Sequence, residues 1–447
     1  MSVIGVISTL LRGRLPGQLV IQLTDRCNAR CPQCGMRVTA RFSRSTLSRD
    51  DVKRILDHAA RIGIQAVSFT GGEPFLCFDL LVELIEHATA VGIPYIRTGT
   101  NGFFLQQALQ KDFDFEVRQV AERLAVTSLR NVWISIDSAD PAYHEEMRGF
   151  SGIYGAIERA IPIFHEYGIY PSANLGINRN VGGRRTASLE VPPAKSDDAA
   201  QQRFLDGFRQ AFADFYRRVV DMGFTIVNAC YPMSVDQAEN ADRLQAVYTA
   251  ESADRVVRFN CVEKALLFQA LLETVPEFRS QIRVFTPCSS LYALWREQLG
   301  HSKSFPCRGG VDFFFVACRD GNTYPCGYRG QEDLGKFWAL DVKKLDDHTK
   351  CRLCEWECFR DPSELAGPIL ELLARPIAFW NRMRRDPTYR RLWLDDWRYY
   401  RVCRFFNGRE PMPDAVHQWA KVSYAVRQSE SNAQTAKEAS EAVEAMV

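Results

Sequence analysis

Three cysteines, Cys27, Cys31 and Cys34, share one short loop, with three residues between the first two and two between the last two. The run before them, Leu19-Val20-Ile21-Gln22-Leu23, reads as a buried strand. The thiols therefore emerge at a strand end, where open α/β sheets place their ligands. Three thiolates from one loop can hold three irons of a cubane cluster. Four-cysteine ligation is the usual closed arrangement, so a triplet leaves one iron open to an exogenous ligand. Zinc is the competing reading. It takes four ligands, often from paired C-x2-C knuckles. Cys31 and Cys34 make one knuckle, but no partner pair or close His follows.

The elements that must position this loop alternate regularly. Ser48 ahead of Asp50 and Asp51 is a helix start, an N-cap followed by first-turn carboxylates. Ala66–Thr70 is a short β-rich run that ends in Gly71-Gly72-Glu73-Pro74, where paired glycines allow a close backbone approach to a ligand. Leu80 to Val91 has helical periodicity, and Tyr95 to Gly102 reads as a third strand and turn. Val132–Ser138 is a fourth strand in which Ser135 and Asp137 alternate in phase and share one side. Tyr170–Asn178 and Phe224–Tyr231 are the fifth and sixth strands. Six βα units predict an α/β fold, a partial (β/α)6 barrel of the TIM type. Phe204, Phe208, Phe212 and Phe215 recur at helical spacing as a core stripe. Arg179 to Ala200 reads as a long loop at the barrel mouth, a lid or a surface loop.

These residues resemble the radical S-adenosylmethionine (radical SAM) superfamily, whose signature is a C-x3-C-x2-C loop after the first barrel strand. The resemblance runs over roughly residues 18–360. It implies that Cys27, Cys31 and Cys34 ligate a [4Fe–4S] cluster whose open iron is chelated by S-adenosylmethionine. It further implies that Gly71, Gly72, Glu73 and Pro74 grip the methionine amino group. Thr100 and Asn101, in the Thr-Asn-Gly turn, and Ser135 and Asp137 would line the cofactor, with Asn174 beside the adenine. His144 reads as a helix-surface residue, and Arg148 as a carboxylate contact or a surface ion pair. Gln33 departs from the family, which usually has an aromatic residue there.

A second cysteine field begins after residue 287. Cys307 and Cys326 bracket a β-rich run and an Asp320-Gly321 turn, which reads as a β-hairpin with cysteines at its two ends. Cys351, Cys354 and Cys358 follow. The arrangement resembles the Twitch and SPASM extensions of radical SAM enzymes. It implies an auxiliary [4Fe–4S] cluster on Cys307, Cys326, Cys351 and Cys354. Cys358 is an alternative ligand, and Cys318 or Cys403 are contributors to a second site. Four thiolates around a hairpin and a knuckle also suit zinc.

Length and composition set the frame. A chain of 447 residues has room for one large domain and smaller ones. Its 46% hydrophobic and 25% charged content is that of a globular protein, and a net charge of +2 gives no nucleic-acid reading. No apolar run reaches the ~18 residues of a membrane span. Fourteen clustered cysteines without a cleavable signal peptide predict a reducing cytoplasm and metal rather than disulfides. The expected organisation is a leader over 1–17, the partial barrel over 18–287, a cysteine-rich hairpin and helical extension over 288–360, and an aromatic-basic helical region with a flexible tail over 361–447. This last region packs on the barrel, meets anionic lipid, or docks a partner.

The resemblance implies an iron–sulfur oxidoreductase that reductively cleaves S-adenosylmethionine to a 5′-deoxyadenosyl radical, which abstracts a substrate hydrogen. The expected partners are an external electron donor of the flavodoxin or ferredoxin type and a peptide, natural-product or small-metabolite substrate. A lipid substrate is an alternative, and a zinc-stabilised binding scaffold is the alternative of another class.

Overall fold

The computed structural model describes residues 9–34, 44–106, 111–192, 197–232, 247, 254–301, 305–345 and 351–419. The tail expected from Ser429 onward and part of the loop expected over 179–200 lie outside them.

Nine strands form one sheet in the order β7-β6-β5-β4-β3-β2-β1-β8-β9. They are β1 (Gly17–Thr24), β2 (Ile64–Gly71), β3 (Tyr95–Thr100), β4 (Leu129–Ser135), β5 (Ser172–Gly176), β6 (Ile226–Cys230), β7 (Arg283–Val284), β8 (Phe313–Val316) and β9 (Thr323–Tyr324). Neighbours from β7 to β8 pair in parallel, and β9 returns antiparallel on β8. Side chains from β1 (Val20), β2 (Ser68), β3 (Arg97), β4 (Trp133), β5 (Asn174), β6 (Asn228) and β8 (Phe315) all line one cavity. A flat sheet could not bring them together, so the sheet curls into a partial barrel.

The six expected strands are present, with two differences. A two-residue β7 extends the sheet beyond β6. The hairpin of the cysteine-rich region joins the other edge, with Gln18–Ile21 of β1 pairing with Phe313–Val316. Strand alternation explains why both layers fit β1. Leu19, Ile21 and Leu23 enter the main core under the helices, whereas Val20 packs with Phe313, Phe315 and Tyr324 inside.

The helices close the outside. Helix α1 (Arg49–Ile62) starts at Ser48, whose side chain accepts from Asp51 N, and ends at Gly63 in the left-handed conformation. Helix α2 is Phe78–Ala90, α3 Phe113–Ala125, α4 Pro141–Arg148 and α5 Ile153–Glu166. The phenylalanine stripe lies on α6 (Asp198–Asp221), and Phe204, Phe208, Phe212 and Phe215 are fully buried. Each such side chain contributes about 1.5–3 kcal/mol by leaving water. Helices α7 (Cys261–Phe278) and α8 (Cys288–Gln298) follow.

The segment after Arg179 is anchored rather than free over its described part. The buried Arg179 pairs with Glu263 at 2.7 Å and donates to the Leu189 and Arg258 carbonyls. The aromatic-basic region is also integral to the fold. Helices α9 (Glu357–Ala374), α10 (Pro376–Arg385) and α11 (Pro387–Val402) pack against the barrel through a shared core that includes Tyr389, Trp393, Tyr399 and Tyr400. Asp396 of α11 is fully buried and accepts from Ser289 N and Oγ, each at 2.7 Å, at the start of α8, and it pairs with Arg279. Asp396→Ala is expected to leave Arg279 unpaired in the interior and to cost about 3–5 kcal/mol, read as a shift in the denaturant midpoint.

Candidate active site and second cysteine set

Cys27, Cys31 and Cys34 leave the end of β1 and line one wall of a cavity of about 330 Å³. Their loop is held by the strand beside it. Gly72 N donates to Thr24 O at 2.7 Å and Glu73 N to Arg26 O at 2.8 Å. A Cβ on Gly71 would lie 2.0 Å from Thr24 O, and one on Gly72 would lie 2.2 Å from Arg26 O. Gly71 also has φ of +148°. Close approach to a ligand is the sequence expectation for this pair. In the structure the glycines make room for the backbone of the cysteine loop itself. Gly72→Ala is expected to displace that loop, to cost more than about 1 kcal/mol and to lower iron retained after anaerobic reconstitution.

Glu73 ties three motifs together. It is buried, its Oε1 accepts from Phe75 N at 3.1 Å, and its Oε2 accepts from Asn101 N at 2.6 Å. Burial pushes its carboxyl up to about 7. Asn101 in turn donates from Nδ2 to Asn28 Oδ1 at 3.1 Å and lies 3.8 Å from Cys27 Sγ. Thr100 Oγ1 accepts from Gly102 N, which closes the turn. Ser135 and Asn174 line the same cavity.

Asp137 follows the end of β4 and is buried, but its partner is a protein side chain. Arg148 Nη2 donates to Asp137 Oδ1 at 2.8 Å, and Nε lies 2.5 Å from Oδ2. Burial opposes the guanidinium charge, yet Asp137 outweighs it and holds Arg148 protonated. Arg148 Nη1 also lies 3.6 Å from Cys31 Sγ, so the pair reaches the cysteine loop. A surface ion pair is therefore corrected to a buried one.

His144, expected on a helix surface, is fully buried. Its Nδ1 accepts from Asp137 N at 3.1 Å, and burial lowers its pKa to about 4. Between about pH 6.5 and 4 the unfolded chain binds this proton and the folded chain does not. Stability then rises with pH across that window and falls by up to about 3 kcal/mol on acidification. Unfolding midpoints of wild type and His144→Gln over that range should converge at low pH, because glutamine does not titrate.

The second cysteine field resolves into one group and several outliers. Cys307 and Cys351 pair through their backbones, Cys307 N donating to Cys351 O at 2.9 Å. Cys307, Cys326, Cys351 and Cys354 influence one another electrostatically. Arg329 and Arg360 flank them, two cations that sequence reading missed. Cys358 lines the main cavity with Arg97, Glu357 and Cys230, and it also packs against the apolar cluster that holds Cys307 and Cys326. Cys318 faces Ser45 beside Asp25, and Cys403 is buried near Tyr399 and Arg279.

The donor chemistry of both sets fits iron–sulfur clusters. Backbone N–H groups two residues on point at the sulfurs, from Ala29 to Cys27, Gly309 to Cys307 and Tyr328 to Cys326, each at 3.4 Å, and from Trp356 to Cys354. Such donors, with the arginines, favour thiolate sulfur. Burial, with neighbouring negative groups, pushes the Cys31 thiol up to about 12 and raises Cys307, Cys326 and Cys354, a penalty that a bound metal would offset. Among the described residues no three Cys, His, Asp or Glu side chains converge closely enough for one ion.

Residues 21–183 match the family model described as the Radical SAM superfamily. The chain carries a radical SAM domain. Its sequence is 34% identical over 138 residues to a PqqA peptide cyclase of Rhodopseudomonas palustris, covering 31% of this chain and 33% of that protein. The chain thus spans about a third of the length of that relative. An AdoMet-dependent heme synthase of Methanosarcina barkeri is 21% identical over 76% of this chain and 89% of its own. Among solved structures, Streptococcus suis SuiB bound to S-adenosylmethionine aligns with a TM-score of 0.48 and 16% identity, over 75% of this chain and 67% of that one. The matched segment holds the cysteine triplet, Glu73, Asn101, Asp137 and Arg148, whereas the second cysteine set lies beyond it.

Proposed function

We propose that this protein is a radical SAM enzyme that modifies a peptide. One observation carries the reading. A single cavity is lined by the cysteine triplet, by Glu73 and Asn101, and by the Asp137–Arg148 pair, at successive strand ends of a curled parallel sheet. The similarity to a protein named as a peptide cyclase supports the substrate class. Cys27, Cys31 and Cys34 hold the first [4Fe–4S] cluster, and Cys307, Cys326, Cys351 and Cys354 hold an auxiliary one. With S-adenosylmethionine bound beside it, a cluster held there would supply the chemistry of a 5′-deoxyadenosyl radical and hydrogen abstraction.

The chain's own residues do the positioning. Glu73 fixes the Asn101 turn against the cysteine loop and presents a carboxylate edge to the cofactor's ammonium. Arg148 is held in place by Asp137 and shields the developing charge on Cys31. Trp133 is seated over Gly99, where a Cβ would overlap its ring at 1.9 Å, and it narrows the space below the cofactor.

An external electron donor of the flavodoxin or ferredoxin type and a cytoplasmic location belong to the same reading. No helix of the described residues is long and apolar enough to cross a membrane. Exposed Leu373, Ile377 and Trp380 beside Arg384 and Arg385 support a membrane-surface contact by the C-terminal region. Iron, sulfide and zinc analysis of anaerobically prepared protein tests the proposal. Brown protein with iron and sulfide is expected, whereas colourless protein with stoichiometric zinc would replace it with a zinc-stabilised scaffold.

A further inference from the structure

The cavity continues past the cofactor residues into the barrel, and its far wall is built unlike the near one. Helix α9 begins there with Glu357 and Cys358, placed against Cys230 at the end of β6. Glu357 is 94% buried (6% exposed). Its Oε1 accepts from the Cys358 thiol at 3.4 Å, and the Cys230 thiol and the Tyr231 backbone also bear on the carboxyl, but its buried Oε2 meets no donor in hydrogen-bonding geometry. A carboxylate oxygen withdrawn from water and left unmatched is costly unless a ligand donor completes it.

Arg97 stands on the same wall. Its Nε donates to Ser68 Oγ at 2.6 Å, and its charge acts on Cys358. Arg97 forms no ion pair among the described residues, although it lines a cavity that also holds Glu357. Trp133, Phe315 and Trp356 supply apolar surface between the polar groups. Nothing in the cofactor's grip uses this wall. Glu73, Asn101 and the Asp137–Arg148 pair are gathered around the cysteine loop instead.

We infer that Glu357 and Arg97 form a substrate subsite for one amide unit of a peptide, with Glu357 taking the N–H and Arg97 the carbonyl oxygen. The aromatic side chains hold the side chain of that residue. An amide unit offers both a donor and an acceptor on a compact group, which suits a carboxylate with one unpaired oxygen on the same wall as a guanidinium that has no ion-pair partner among the described residues. This inference rests on the proposed peptide substrate. It makes Glu357 and Arg97 binding residues, and Cys358 a neighbour that orients the carboxylate rather than an iron ligand.

The test uses binding, so that it stands apart from S-adenosylmethionine cleavage. Trp133 and Trp356 report occupancy by fluorescence. Reconstituted full-length protein is titrated with N-acetyl-phenylalanine amide, with the same compound methylated on its amide nitrogens, and with n-butylbenzene. On the unaltered protein, methylation, which removes the donors, is expected to weaken the probe at least tenfold. Glu357→Gln and Arg97→Gln are each expected to weaken the unmethylated probe at least tenfold and to leave n-butylbenzene within twofold. Equal binding of the methylated and unmethylated probes to the unaltered protein, or no binding of either, overturns the inference. So does a folded variant that retains the n-butylbenzene site and binds the unmethylated probe as well as wild type. Loss of 5′-deoxyadenosine formation with intact probe discrimination would count against the proposed reaction and leave the subsite standing.

Discussion

Cys31→Ala is expected to lower iron after anaerobic reconstitution from about eight atoms per chain to about four, and 5′-deoxyadenosine formation to background. Cys31 is the most enclosed of the three thiols, and its burial pushes the free thiol up to about 12. Arg148, which faces its sulfur, is a donor and cannot ligate iron, the nearby Asp137 carboxylate is committed to Arg148, and Asn101 Oδ1 to Phe103 N. The second cysteine set lies on other elements and should keep its cluster. The residual iron therefore reports the auxiliary site alone. Cys354→Ala should give the mirror result, with the iron halved and cleavage of S-adenosylmethionine without substrate retained. Cys358→Ala should leave the iron content unchanged. Loss of half the iron in that variant would return Cys358 to the ligand set.

Asp137→Ala carries the second large effect. It strips Arg148, whose side chain is only 12% exposed, of its partner and leaves a guanidinium charge unpaired in the protein, at a cost of about 3–5 kcal/mol. An Asp137→Leu, Arg148→Met double variant removes both charges and should recover most of that stability, because a buried pair is often replaceable by apolar side chains. It should not recover cofactor cleavage. Arg148 also reaches Cys31 Sγ at 3.6 Å, and no apolar side chain supplies that cation. Denaturant midpoints and 5′-deoxyadenosine rates, measured on wild type and these two variants, separate the two roles. Full recovery of both in the double variant would make the pair purely structural.

What could be read from the sequence followed from local periodicity. The alternation of β1 and the helical stripe of α6 each involve residues whose burial depends on the element alone. Ser48 could be read as a cap because its partner, Asp51, is three residues away. The cysteine triplet was legible for the same reason, since all its chemistry lies within one loop. Asp137 shows the limit. Alternation with Ser135 assumes that the strand continues, but β4 stops at Ser135. Asp137 still reaches the cavity, held by an arginine eleven residues on. His144 looked superficial on an eight-residue polar helix and is buried because Tyr154 of α5 covers it.

The far wall was illegible for a stronger reason. Glu357 and Cys358 come to Cys230 and Arg97 only when the start of α9 is laid against the open side of the barrel. No spacing in the sequence encodes that meeting. Cysteine counting favoured a ligand role for Cys358 because of its place next to Cys354. The four-residue step between them places Cys358 in the first turn of α9, where it also lines the main cavity.

The most direct test of the account is to incubate the iron-loaded protein anaerobically with dithionite and S-adenosylmethionine and to measure 5′-deoxyadenosine, alongside Cys27→Ala. The account predicts 5′-deoxyadenosine from the wild type and only background from the variant. No 5′-deoxyadenosine from fully iron-loaded wild type, or equal amounts from both proteins, would contradict it.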